Sequence, residues 1–94
     1  MIAPLVLSVV PLEPYVVRVS FADGEVRDVD IEPLLDGPVF AALRDQAEFG
    51  RVGIEEQTGA VVWANGADLD PDVIYGVAPA AREPAARVTT PQLT

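Results

Sequence analysis

From Tyr15 to Phe21 the chain alternates without a break, with Tyr15, Val17, Val19 and Phe21 on one side and Arg18 and Ser20 on the other. A period of two over seven residues fits a half-buried antiparallel strand and does not fit a helix. Asp23-Gly24 follows as a turn, and Glu25 to Ile31 reads as the returning strand, with Val29 and Ile31 facing inward. A chain that begins with such a hairpin needs a second layer to bury its apolar face. The rest of the sequence supplies the candidates for that layer.

Before the hairpin, Leu5 to Val10 is almost entirely β-branched or leucine, which suits a strand covered on both faces or lying against the core, and Pro11-Leu12-Glu13-Pro14 breaks it. After it, Glu32-Pro33-Leu34-Leu35 reads as one helical turn, and Asp36-Gly37-Pro38 as a helix start. Val39, Phe40, Leu43 and Ala47 then recur at helical spacing up to about Glu48, with Arg44, Asp45, Gln46 and Glu48 on the wet side and Gly50 as the stop. Val52 to Glu56 and Ala60 to Trp63 form a second hairpin around Gln57-Thr58-Gly59, whose glycine suits a left-handed turn position.

The most specific run is Trp63 to Asp72. Asn65-Gly66 can reverse the backbone without a Cβ clash, and Asp70-Pro71 has a carboxylate cap followed by a ring preset for the first helical position. The expected architecture is therefore α+β: a small, mainly antiparallel sheet of two hairpins and an N-terminal strand, one amphipathic helix packed on it, and a short C-terminal helical turn. Residues 1–76 make one domain, and residues 77–94, rich in Pro, Ala and Thr without apolar period, read as a mobile or partner-ordered tail.

Composition narrows the chemistry. The chain has 94 residues, fifteen acids against six arginines, a formal charge of −9, and no lysine, histidine or cysteine. Without those three residue types an ordinary serine triad, a thiolate nucleophile, a Schiff base and an imidazole or thiolate zinc site are all unavailable within the chain. Such a surface repels nucleic-acid phosphates and anionic membranes, and suits either simple solubility or a basic protein partner. The apolar run from Met1 to Leu12 has no basic flank, holds Pro4 and Pro11, and is too short to span a bilayer, so a cytoplasmic location is the default expectation.

Asp68, Asp70 and Asp72 alternate in the manner of a calcium loop, but the sixth and twelfth positions counted from Asp68 are Val73 and Pro79, where such a loop needs glycine and glutamate. Helix capping by Asp70, a first-turn anion at Asp72 and turn stabilisation by Asp68 explain the run better. No cofactor or metal is implied. Carboxylate-pair catalysis needs an enclosed cleft with one raised pKa, and a domain of this size has little surface from which to build one.

Three blocks, taken together, resemble a known bacterial family. They are Phe21-Ala22-Asp23-Gly24 with Val29-Asp30-Ile31, then Val39-Phe40-Ala41-Ala42-Leu43-Arg44-Asp45 with Phe49, and finally Val61 to Asp72 with Tyr75. From about Leu5 to Gly76 the chain resembles the family catalogued as domain of unknown function 2442. The resemblance implies an α+β domain like the one that precedes a helix-turn-helix domain in a protein of a nitrifying bacterium. No helix-turn-helix follows here, so a DNA-binding role does not carry over. The family's frequent placement beside another small protein, as in toxin–antitoxin pairs, implies partner binding, and it supplies no catalytic residues.

The functional expectation is a protein–protein interaction module, an accessory or antitoxin-like partner of a small basic protein, with homodimerisation through open sheet edges as a further possibility. Contact is expected at the acidic hairpin, through Asp23, Asp28 and Asp30, and at the rim formed by Trp63, Asn65, Asp68 and Asp70. Trp63 also fits the core beside Val61, which is the favoured placing. The alternative function is a small-ligand or sensory domain with a pocket between the Val39–Glu48 helix and the sheet near Trp63. A stand-alone enzyme ranks last.

Overall fold

The computed structural model describes residues 3–76, with the backbone of residues 87–89. Two antiparallel sheets share one core. The first orders β1 (Val6–Leu12), β2 (Val16–Phe21), β3 (Val26–Asp30) and β7 (Arg87–Thr89) as neighbours. The second orders β4 (Gly53–Ile54), β5 (Val61–Val62) and β6 (Asp68–Leu69). Two short helices complete the fold, α1 (Gln46–Phe49) and α2 (Pro71–Tyr75).

The Tyr15–Ile31 hairpin forms as its alternation requires. Val17, Val19, Phe21, Val29 and Ile31 are all buried, while Arg18 is exposed and Asp28 half-buried on the other face. Leu35, Leu43, Phe49, Val61, Trp63, Ala67 and Ile74 complete a core that, among the described residues, contains no polar side chain. The fold class is α+β, as expected.

The helical segment departs from the single helix expected over Val39–Glu48. A 3-10 turn covers Ala41–Arg44, Asp45 is extended with ψ of 116°, and α1 begins afresh at Gln46. The Asp45 carboxylate accepts the Ala47 N–H at 2.9 Å, so a residue assigned to the wet face of one helix instead caps the next. The expected stripe fails accordingly: Leu43 is buried, but Val39 is 47% exposed and Ala47 is exposed. Phe49, one residue beyond the expected helix end, fills the core.

β1 also differs. It runs through Pro11 to Leu12, which an edge strand tolerates, and its register slips between Val6 and Ser8. Of the two placings expected for Leu5–Val10, lying against the core applies, since Val6 and Val9 pack on it, and cover on both faces does not: Leu5 is 73%, Leu7 64% and Val10 46% exposed. β6 is a further strand where a turn was expected to lead straight into α2. Within the stretch read as a tail, Arg87–Thr89 pairs with β3, and the remaining residues of 77–94 lie outside the described residues.

Candidate interaction surface

Asn65-Gly66 reverses the chain between β5 and β6. Gly66 takes φ of 95°, and the Asn65 carboxamide braces the turn on both sides, its oxygen accepting from Ala67 N–H at 3.1 Å and its Nδ2 donating to the Val39 carbonyl at 2.9 Å. Asn65 therefore holds the turn, the task expected of Asp68, which is exposed on β6. Gly59 takes φ of 75°, the left-handed position its loop required.

Trp63 is turned inward and 3% exposed. Its indole N–H donates to the Phe49 carbonyl at 2.9 Å, and its ring meets those of Phe49 at 5.9 Å and Phe40 at 6.0 Å. An incoming protein cannot reach it in this fold, so the core placing applies and the contact placing does not.

Asp70 caps α2, accepting the Asp72 N–H at 2.9 Å ahead of Pro71. Asp72 turns to the other end of the chain and accepts the Ala3 N–H at 2.8 Å. Asp70 and Asp72 thus serve separate structural ends. Among the described residues no group of three acids is placed to hold a metal ion. Asp70→Ala is expected to cost about 1 kcal/mol, the usual worth of an N-cap, measured as a shift in the urea midpoint at unchanged slope.

The acidic hairpin is likewise bonded within the chain. Asp28 receives both Nε and Nη2 of Arg18, at 2.8 and 2.9 Å, and this pairing raises the arginine's pKa further. Asp30 accepts the Glu32 N–H at 3.0 Å. Asp23 accepts the Tyr75 hydroxyl and, at 3.0 Å, the Glu25 N–H. Tyr75 in turn packs edge-on against Phe21, with ring centroids 4.9 Å apart, and lies under the Arg27 guanidinium at 5.1 Å. α2 is thereby clamped to the first hairpin across 52 positions of sequence.

The Tyr75 hydroxyl and then the Glu25 amide hold the Asp23 pKa below its ordinary 3.8, while the same Asp23 contact raises Tyr75 above 10.0. The clamp's contribution is therefore complete between those limits. It is lost as pH falls through the lowered Asp23 pKa, and again as pH rises through the raised Tyr75 pKa. Tyr75→Phe is expected to be less stable than the parent at pH 7, with the gap narrowing as pH falls below 3.8 and as it rises above 10.0, read as the difference in thermal midpoint. A gap that stays constant with pH contradicts the clamp.

Among the described residues, two surface features stand out that the fold does not itself use. One is the uncharged strand β1, with Leu5, Leu7 and Val10 exposed at the sheet edge. The other is an open depression of about 550 Å³ lined by Pro33, Leu34, Asp36, Gly37, Pro38, Val39 and Phe40. The exposure of Leu5 and Leu7 was not legible in the sequence, because an apolar run has the same look whether it is buried or bare. Among the described residues no helix is long and apolar enough to cross a membrane.

Residues 6–80 match the family model described as a protein of unknown function, DUF2442. No curated protein and no solved structure matches the chain.

Proposed function

Because the chain belongs to the DUF2442 family, whose description assigns no activity, we propose from its surface that it is a protein–protein interaction module for a small basic protein of the cytoplasm. One observation carries the reading: Leu7 and Val10, on a strand that has no charged residue, and Leu5 just before it are all exposed, in a chain of formal charge −9. An apolar strip on a protein of strong net charge has the composition of an interface, in which the overall charge steers an oppositely charged partner and the apolar centre holds it. Pro11 and the irregular register at Leu7 blunt β1 as a template for strand pairing, so the strip offers side chains more than backbone. That favours packing of a partner over edge-to-edge pairing with a second copy.

The acids supply the field and not the contacts. Asp23, Asp28, Asp30 and Asp70 each already accept hydrogen bonds from within the chain, and Asp68 and Asp70 are both exposed on the expected rim. Nucleic acid and anionic membrane remain the partners this charge disfavours. Catalysis has the least support, since the carboxylates lie at the surface as caps and ion pairs. The Leu5→Asp/Leu7→Asp double variant tests the proposal: stability is expected within about 0.5 kcal/mol of the parent, as usual for surface changes, while retention of the basic partner is lost.

The ligand reading keeps one observation in its favour. The 550 Å³ depression ends at Phe40, whose ring touches Trp63. A metabolite bound there is expected to change Trp63 fluorescence to saturation.

A further inference from the structure

Asn65 is the chain's one asparagine, and a glycine follows it. In that pair the asparagine side chain is most open to attack by its own backbone, because the next residue has no Cβ to keep the peptide nitrogen from the carboxamide carbon. Asn65 stands exposed, and among the described residues nothing lies within 4 Å of where a Cβ on Gly66 would be. Sterically, the turn leaves this reaction open.

Its hydrogen bonds hold the reaction back. The Gly66 N–H donates to the Trp63 carbonyl at 3.0 Å, so the nitrogen that would attack is engaged. The carboxamide is fixed at both ends, its oxygen accepting from the Ala67 N–H at 3.1 Å and its Nδ2 donating to the Val39 carbonyl at 2.9 Å. Ring closure needs the nitrogen to lose its proton and the side chain to swing onto it, and both require these bonds to be undone. That opening is small. Ala64, Asn65 and Gly66 are all exposed, so the turn can lift without emptying the core, where Val61, Trp63 and Ala67 sit. The strands it joins, β5 and β6, have only two residues each.

We propose that Asn65 is a modification site, converted to aspartate or isoaspartate through local opening of the β5–β6 turn. A base takes the Gly66 amide proton, the nitrogen adds to Asn65 Cγ, and the carboxamide C–N bond breaks, with the proton going to the departing ammonia. Water then adds to either carbonyl of the cyclic imide and opens it, so one water is consumed and one ammonia released. The product is a carboxylate, which has no donor for the Val39 carbonyl and faces it as a second acceptor. It also adds one negative charge to a chain of formal charge −9. Val39 precedes Phe40, whose ring meets Trp63 and lines the 550 Å³ depression, so the change unties that segment from the turn. The site is independent of the interaction-module reading.

The test ages the full parent chain, folded and fully unfolded in urea, in the same mildly alkaline buffer at one temperature. Samples are followed by anion exchange, with peptide mapping of the more acidic species. Asp23-Gly24 and Asp36-Gly37 can close a similar ring, but without change of charge, so they do not enter the count. Folding is expected to slow conversion of Asn65 at least about tenfold, yet to leave it at least about tenfold faster than the globally unfolded fraction, taken from the urea transition, would give. The isolated converted chain and Asn65→Asp are both expected to unfold at lower urea than the parent. Equal rates in the folded and unfolded chain overturn the proposal. So does a folded rate no greater than global unfolding explains, no conversion included. A converted chain with the parent's urea midpoint overturns the untying of Val39. Should Asn65→Asp fail to fold, the two rates on the parent and the midpoint of the converted chain still decide.

Discussion

Trp63→Ala is expected to cost about 3–5 kcal/mol, the range for emptying a large aromatic site in a core. Domains of this size hold about 5–15 kcal/mol in total, and a 94-residue chain sits toward the low end, so the variant should be largely unfolded well below the parent's midpoint. The size of the loss follows from the position. Trp63 is 3% exposed, joins the second sheet to α1 through Phe49, and reaches the 3-10 segment through Phe40. It also satisfies the Phe49 carbonyl at the C-terminal end of α1. Trp63→Phe separates the two contributions: it keeps an aromatic ring but leaves that carbonyl without its donor, for about 1–2 kcal/mol plus the cost of the smaller ring. Far-UV circular dichroism in urea measures both, since the substitution removes the chain's one tryptophan as a fluorophore. A midpoint for Trp63→Ala within about 0.5 kcal/mol of the parent would falsify the placement of this ring in the core.

Phe21→Ala is expected to cost a similar 3–5 kcal/mol, and by a different route. Phe21 is 2% exposed at the end of β2, opposite Val6 of β1, and its ring carries Tyr75. Its removal therefore empties the core and loosens the Tyr75–Asp23 clamp together. The loss should consequently be non-additive with Tyr75→Phe: in the Phe21→Ala background the second change is expected to do much less than in the parent. Phe21 ends β2 of the first sheet and Trp63 directly follows β5 of the second, and both belong to one core, so each single variant should still unfold in one transition when followed by several probes. Two separate transitions would mean that the sheets are independently stable.

The parts of this fold that depend on neighbouring residues were legible from sequence. The Tyr15–Phe21 alternation, the left-handed glycines at 59 and 66, and the Asp70-Pro71 cap all hold, because each depends on a side-chain period or a local backbone requirement. What failed turned on competition or distance. Helical spacing over Val39–Ala47 looked continuous, yet Asp45 could serve either as a wet-face residue or as a cap, and capping won. β6 has only two residues, too few to carry a period. The Tyr75–Asp23 and Asp72–Ala3 bonds join residues 52 and 69 positions apart, for which a single sequence has no signal.

The candidate surface was less legible than the fold, for the same physical reason. Acids were chosen as contacts because charge is visible in sequence, but most of those chosen cap helices, brace turns or pair with arginine. Trp63 was weighed as an anchor because tryptophan is common at interfaces, and the fold uses it inside. Leu5 and Leu7 belong to a run expected to be covered on both faces or to lie against the core; Val6 and Val9 do lie against it, while Leu5 and Leu7 stand bare.

The measurement that bears most directly on the interaction-module proposal is affinity capture from the native lysate by the tagged parent and by Leu5→Asp/Leu7→Asp, side by side at low and high salt. Surface charge attraction weakens as salt rises, whereas apolar packing does not. The account predicts one small basic protein at stoichiometric yield on the parent, captured faster at low salt, still held at high salt, and absent from the double variant, whose urea transition matches the parent's. Recovery of the same protein on both baits, release of everything at high salt, or recovery of nothing but the chain itself would contradict it.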